Sequence, residues 1–407
     1  MTFLERIPGY KPKTAWLRQI MAEWARHGYG DVQHHVRSDT LLCTRDGQTS
    51  RHALAPHFGH YMGQQWLERE RSVEQAVLNM ITERELQLRP TPDVSMLRPV
   101  VRDRAFGWFR DARQGATPSE AQSLARGPAI GQDHQVYLAI QRPEHRQLIT
   151  RQQVDELGLN LSQALDRAQD NLLRISQPRW RAIGPDAWEG AWDDGFECSR
   201  LLLPEVVLPL DLAGEAVAIT PLHNKLLVST RRSTAGQRAI LEAALQAGSV
   251  DSSWSSSHML SLDARGRWQP YEPSHAAAQQ LQRRLAVTIA RSQYQQQQPL
   301  LTQALQSLGR PFEVTDYDTV ETPDDLTSVA IWIKGHDTFL PRAQHLALID
   351  PDHFSREQTL VVPWDLAVDY LAPHLNPVAG VEPPRYHATL FPSNEVLQSL
   401  RARQAAA

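Results

Sequence analysis

The hydrophobic pattern at the start of the chain predicts a small module of helices and one strand. Apolar residues recur at three- and four-residue spacing along 14–28, which is typical of an amphipathic helix. Residues 41–44 predict a short strand, and a second helix is predicted over 65–86. Prolines in 89–95 bias the residues before them away from helix, so we expect a joint there and a first domain over 1–92.

The middle of the chain alternates predicted strands with capped helices. Thr150 stands three residues before Gln153, which is the spacing of a capping box at the start of a helix. A second apolar stripe at helical spacing follows over 161–175, whereas the polar residues 111–132 predict a long loop. Strands are predicted at 98–102, 135–140, 215–220 and 225–229.

The last third of the chain predicts another mixed module. A helix over 276–308 is expected to be interrupted by Pro299. Helix, several strands and helix recur along the whole chain, which favours an α+β fold of small mixed modules, with helices packed on antiparallel or mixed sheets. Strands are predicted at 312–315, 328–333, 346–349 and 359–362, and a short helix at 365–372. We expect three domains: the N-terminal helix–strand–helix module 1–92, a central α+β module 93–271 and an additional C-terminal α+β module 272–407.

Composition and charge limit the class of protein. The chain has 407 residues, 41% hydrophobic and 22% charged, so it can bury ordinary cores and has a length typical of two or three domains. A net charge of −4 gives no global electrostatic reason to bind nucleic acid or an anionic membrane. No window of about eighteen apolar residues occurs, and the first residues are too polar for a signal peptide, so we expect a cytoplasmic protein.

Few sequence motifs point to a cofactor. The two cysteines, Cys43 and Cys198, exclude a disulfide framework and a cysteine-rich metal module. The chain contains neither a glycine-rich phosphate loop nor a calcium-binding loop of the Asp-x-Asp-x-Asp-Gly type. We therefore predict no cofactor.

Residues from about 97 to 271 resemble the YtpQ-like family, a bacterial group described as a domain of unknown function. The family's middle motif runs Asp-Gly-x-x-Ala-Ser-Arg, and here Cys198 replaces its alanine. The resemblance implies a common domain but carries no agreed reaction to this chain. The stretches that resemble the family, in order, are 97–102, 136–140, 148–172, 194–201 and 216–228.

A set of polar residues in the central module is the first candidate site. Asp194, Ser199 and His223 are the residue types of a nucleophilic triad, but no Gly-x-Ser-x-Gly elbow surrounds the serine. Arg200 could pair with Asp194 or hold an anionic ligand through two hydrogen bonds. In the first interpretation Asp194 caps a helix and pairs with Arg200; in the second, Arg200, His223 and Arg102 bind a ligand.

Histidines are dense near the N-terminus and form the second candidate site. His57 and His60 are three residues apart, a spacing that can chelate a metal, with His52 as a further ligand. Pro56 and Gly59 argue against a settled helix there, and no His-Glu-x-x-His motif occurs. Exposed neutral histidines and a pH-dependent surface are the alternatives to a metal site.

The sequence favours an adaptor over an enzyme. Small mixed modules, sheet edges that can accept a further strand and the lack of a strong catalytic motif predict a non-catalytic protein that binds protein partners. The alternative is a hydrolase or small-ligand enzyme that uses Asp194, Ser199, Arg200 and His223.

Overall fold

A computed structural model gives the structure of the chain, which divides into two compact units, Met1–Pro92 and Asp93–Ala407. Both units combine helices with antiparallel or mixed sheets, so the predicted α+β class is confirmed. The structure describes residues 12–36, 39–45, 48–63, 69–87, 93–114, 123–142, 145–212, 214–248, 254–307, 312–322, 325–353 and 359–405.

The first unit packs helices against a three-stranded antiparallel sheet. Its elements are α1 (Pro12–Arg26), β1 (Asp31–His35), β2 (Thr40–Arg45), β3 (Gln48–Ala53), α2 (Ala55–Gly63) and α3 (Arg69–Gln87). The strand order is β1-β2-β3. Trp16, Ile20 and Trp24 repeat at helical spacing on α1 and are fully buried, together with Val77 and Met80 of α3. The apolar stripes of the two helices therefore form the core of this unit.

The second unit begins with a four-stranded antiparallel sheet. Strand β6 lies between β4 and β5 and also pairs with β7, while α6 packs its buried Ala164, Ala168 and Leu172 on the sheet. Capping boxes at Thr150 and Asn160 start α5 and α6. The bounds are β4 (Leu97–Asp103), α4 (Ala105–Gln114), β5 (Arg126–Ile130), β6 (His134–Gln141), β7 (Arg146–Leu148), α5 (Arg151–Glu156) and α6 (Leu161–Leu173).

A six-stranded antiparallel sheet forms the middle of the second unit. The strand order is β13-β12-β10-β11-β9-β8, and α7 packs on it through buried Ile240, Leu241 and Ala244. Two 3-10 segments, Cys198–Leu202 and Pro204–Leu210, precede its central hairpin. The bounds are β8 (Trp180–Gly184), β9 (Ala187–Gly190), β10 (Ala216–Ile219), β11 (Leu227–Thr230), α7 (Thr234–Ala247), β12 (Met259–Leu262) and β13 (Trp268–Tyr271).

The C-terminal part joins two mixed sheets to one long helix. The sheet orders are β14-β17-β21-β20 and β15-β16-β18-β19, with one parallel pair in each, β14 with β17 and β16 with β18. The long helix α8 contacts both sheets and also α4 and α7. The bounds are α8 (Ala276–Ser307), β14 (Glu313–Val314), β15 (Asp318–Glu321), β16 (Leu326–Ile333), β17 (Thr338–Pro341), β18 (His345–Ile349), β19 (Leu360–Pro363), α9 (Trp364–Leu371), β20 (Leu375–Pro377), β21 (Arg385–Ala388) and α10 (Asn394–Ala405).

Three local predictions were wrong. Helix α8 continues through Pro299, since buried Tyr294, Gln297 and Leu301 fix the helix on both sides of the proline. Helix α2 forms because Pro56 falls in its first turn, where a missing N–H costs no helix bond.

The third wrong prediction is the long loop over 111–132. The helix α4 continues to Gln114, and β5 pairs with β6 despite lacking an alternation of apolar and polar residues. Residues 115–122 of the predicted loop lie outside the described residues.

The buried guanidinium of Arg385 holds α8 against the C-terminal strands. Its Nε donates to Gln297 Oε1 at 2.6 Å, and one terminal nitrogen donates to the carbonyl oxygens of Thr315 and Phe339 at 2.7 and 2.8 Å. Gln297 in turn donates to the Pro383 carbonyl at 2.6 Å. Burial lowers the pKa of Arg385 to about 10, so the side chain stays charged at neutral pH. This network connects four segments of the chain, around Gln297, Thr315, Phe339 and Arg385.

Replacing Arg385→Met is expected to lower the free energy of unfolding by about 3 kcal/mol or more, because each buried acceptor left unpaired costs about 1–3 kcal/mol. The midpoint of urea unfolding measures the change. Arg403→Met, an exposed substitution on α10, is the control and should leave the midpoint almost unchanged. Equal midpoints for the two variants would contradict this role of Arg385.

Candidate functional site

Asp194 and Arg200, two of the sequence candidates, form an ion pair in which the arginine is buried and the aspartate is partly exposed. The two terminal nitrogens of Arg200 donate to the two carboxylate oxygens of Asp194 at 2.8 and 2.7 Å, and its Nε donates to Ser176 Oγ at 2.9 Å. The guanidinium stacks over the Trp192 ring at 4.2 Å and is 1% exposed. Burial opposes ionisation of Asp194, but hydrogen bonds from Arg200 and from the Phe196 N–H outweigh it and lower the pKa. The contacts of the guanidinium with Asp194, Ser176 and Trp192 are structural.

Ser199 is buried in the same region and has a structural hydrogen bond. Its Oγ accepts the backbone N–H of Val101 at 3.1 Å, and the residue is 1% exposed. Val101 lies on β4, the edge strand of its sheet, so one of its backbone groups needs a partner outside the sheet. The serine supplies that partner and ties the 3-10 segment Cys198–Leu202 to β4.

Arg102 and His223, two further sequence candidates, lie in the wall of one groove of about 370 Å³, which we name the arginine groove. Arg102 comes from the end of β4, and His223 from the turn that follows β10. Arg200 is not among the residues that line the groove. The lining residues are Arg102, Asp103, Phe106, Phe109, Arg110, Arg113, His223, Trp254, Ser255, Ser292, Gln293 and Gln296.

Aromatic rings contact two of the arginines of the groove, and α8 contacts one of them. The Arg102 guanidinium lies 5.9 Å from the Phe106 ring centroid, and that of Arg113 lies 5.7 Å from the Phe109 centroid. Arg113 also donates to Gln296 Oε1 of α8 at 3.2 Å. Burial lowers the pKa of Arg102, but a guanidinium keeps its proton at neutral pH. The groove therefore presents three guanidinium groups and one carboxyl group, that of Asp103, beside apolar rings.

The sequence analysis missed Arg110 and Arg113. The signal was present, because Phe106, Phe109, Arg110 and Arg113 repeat at the i, i+3, i+4 and i+7 positions of one helix face. The prediction of a loop from Asp111 onward hid this face.

A second cleft, of about 720 Å³, lies beside the groove and shares Asp103, Ser255 and Gln293 with it. We name it the dyad cleft, after an aspartate–histidine pair in its wall. His258 Nδ1 lies 2.5 Å from Asp133 Oδ2, and the Ser256 hydroxyl donates to the same oxygen at 2.7 Å. Its wall also includes Arg104, Tyr294, Tyr317, Arg342, Trp364, Asp365 and Glu382.

Backbone pairing assembles the two depressions at one end of the central module. Residue Asp103 pairs with His134 at the end of the β4–β6 ladder, and the N–H of Arg104 donates to the Asp133 carbonyl at 2.8 Å. An isolated bridge between Leu222 and Trp254 brings the segment that carries Ser256 and His258 beside the turn that carries His223.

The titrating groups of the dyad cleft have shifted pKa values. The Asp133 hydrogen bond raises the pKa of His258. Burial opposes ionisation of Asp133, yet the His258 hydrogen bond and charge lower its pKa. Burial raises the pKa of Asp103 to about 6. Hydrogen bonds from the N–H groups of Phe106 and Ala105 oppose this increase.

The N-terminal histidines lie in different surroundings. His52 is 1% exposed and its Nε2 lies 2.8 Å from Ser50 Oγ, whereas His57 is half-buried on α2. The side chain of His60 lies outside the described part of the chain. Among the described residues, no group of three or more His, Cys, Asp or Glu side chains is arranged to hold a metal ion.

The described helices include none with the length and apolar character needed to span a bilayer. Comparisons with protein-family models, with curated proteins and with solved structures found no match to this chain. The resemblance to the YtpQ-like family therefore stays a prediction from the sequence.

Replacing Asp194→Asn is expected to destabilise the protein by about 2 kcal/mol, less than the about 3–5 kcal/mol of a fully buried pair, because the carboxylate is partly exposed. The folded-state pKa is lowered, so the ion pair contributes stability above the unfolded value and loses it as the pH falls through the folded value. Urea unfolding at about pH 7 and about pH 3 measures this, and the difference between the two proteins should be smaller at the lower pH. A gap that stays constant would argue against the pair.

Replacing Asp103→Asn is expected to stabilise the protein at high pH, unlike the replacement of Asp194. The folded-state pKa is raised to about 6, so ionised Asp103 destabilises the fold above that pH, while an asparagine oxygen still accepts the N–H groups that start α4. The variant should unfold at a higher urea concentration than the parent at about pH 8 and at the same concentration at about pH 4. Lower stability of the variant at both pH values would refute this assignment.

Proposed function

We propose that this protein is an adaptor that binds an acidic segment of a partner protein in the arginine groove. The observation that carries the proposal is the arrangement of three arginines and His223 around one open groove. Arginine clusters are a common device for recognising acidic or phosphorylated motifs, because guanidinium groups bind carboxylates and phosphates through two parallel hydrogen bonds.

The spacing of the arginines favours a segment over a single small anion. Arg110 and Arg113 are separated by about 4.5 Å along the axis of α4, and Arg102 comes from the preceding strand. The positive charges are therefore spread along the groove, which suits several carboxylates on an extended chain. Phe106, Phe109 and Trp254 supply apolar surface between these charges.

The length of the concave surface supports the same conclusion. The arginine groove and the dyad cleft share three wall residues, so an occupant can continue from one depression into the other. The hydrolase alternative built on Asp194, Ser199 and His223 has less support, because Ser199 Oγ already accepts a backbone N–H and Asp194 is held by Arg200.

A random peptide display library selected on the immobilised protein tests the proposal. We expect the selected peptides to be rich in Asp and Glu, and their binding to weaken about tenfold or more in the Arg110→Gln/Arg113→Gln double variant. Fluorescence anisotropy of the selected peptides measures the dissociation constants, which should also rise with salt because the contacts are ionic.

The matched control is the double variant Arg265→Gln/Arg403→Gln, which removes the same charge from exposed positions outside the groove. This variant should bind the selected peptides like the parent. Selected peptides without acidic residues, or equal weakening in the two double variants, would overturn the proposal.

A further inference from the structure

The aspartate–histidine pair of the dyad cleft has the arrangement of an oriented general base. Asp133 accepts from both Ser256 and His258, which fixes the carboxylate and the imidazole ring together. With Nδ1 directed to the carboxylate, Nε2 is the nitrogen that remains for proton transfer. Among the described residues, His258 Nε2 has no hydrogen-bond partner.

The imidazole is accessible from a cavity of suitable size. The His258 side chain is 48% exposed and lies in the wall of a cleft of about 720 Å³, within the range of small-molecule sites. His134, by contrast, is 1% exposed. Its Nε2 lies 2.6 Å from Thr220 Oγ1.

Two arginines in the same cleft can stabilise negative charge. The side chains of Arg104 and Arg342 are 60% and 58% exposed, and their carboxylate neighbours, Glu382 and Asp365, are 3.9 Å away. That distance exceeds a hydrogen bond, so both guanidinium groups keep donors for a ligand. The cleft thus combines a base with donors for an anion.

We propose that the dyad cleft is a hydrolytic site for small carboxylic esters. In the first step His258 Nε2 takes a proton from a water molecule while the water oxygen bonds to the ester carbonyl carbon and the carbonyl π electrons move to oxygen. Donors from Arg104 or Arg342 bind the resulting oxyanion. In the second step the carbonyl re-forms, the bond to the alkoxy oxygen breaks, and the proton on Nε2 passes to that oxygen, which leaves an acid and an alcohol.

The pH dependence of the reaction follows from the groups that face His258. Asp133 and Glu272 favour the protonated ring, whereas burial opposes it, and the remaining charged groups of the cleft are Asp103, Arg104, Arg342, Asp365 and Glu382. A base acts in its neutral form, so the rate should rise as the pH passes the pKa of His258. Asp133→Asn removes the largest cause of the raised pKa and should move the rise to lower pH.

Hydrolysis of p-nitrophenyl acetate by the full chain tests the proposal. We expect a rate above that of free imidazole at equal concentration, and a loss of about a hundredfold in kcat/KM in His258→Gln. His336→Gln is the matched control, because His336 lies 2.6 Å from Glu313 and is 51% exposed but lies outside the cleft. The control variant should keep the parent rate.

Three results would overturn the proposal: a rate no higher than that of imidazole, parent activity in His258→Gln, or equal losses in His258→Gln and His336→Gln. Urea unfolding of each variant separates loss of chemistry from loss of fold. The pH profile of Asp133→Asn gives a second readout, since a merely structural pair would leave the midpoint of the profile in place.

Discussion

A buried guanidinium needs hydrogen-bond acceptors around it, because an isolated charge in the protein interior costs several kcal/mol. Arg200 meets this constraint through Asp194, Ser176 and the Trp192 ring, and Arg385 meets it through Gln297 and two carbonyl oxygens. The two networks join segments that are distant in sequence. They therefore fix the 3-10 segment Cys198–Leu202 beside Ser176, which follows α6, and α8 beside the C-terminal sheets.

The same constraint divides the polar residues of the central module into two groups. Some are buried and hydrogen-bond to other buried groups, as Ser199 does when its Oγ accepts the Val101 N–H. Others, such as Arg102 near the end of the β4–β6 ladder and His258 against Asp133, lie in the walls of open depressions. Capacity for binding or chemistry resides in the second group, because a ligand can reach it.

The two depressions are physically connected. Asp103 lies in the wall of both, beside the arginines on one side and the aspartate–histidine pair on the other. Its raised pKa makes its charge sensitive to pH near 6, so the field in both depressions changes with that charge. An anion bound in the arginine groove would favour protonated Asp103, since like charges repel.

The sequence by itself determined the α+β class, the stripe of α1, the capping boxes of α5 and α6, and the residue types of the Asp194–Arg200 pair, because periodicity and caps are local properties. It placed Arg102 and His223 among the candidate ligand-binding residues but gave no reason to place them together. Only the tertiary structure brought them into one groove, carried α8 through Pro299, and set Asp133 against His258 across more than a hundred residues. Such pairings depend on how sheets and helices pack, and short-range sequence patterns carry no information about long-range packing.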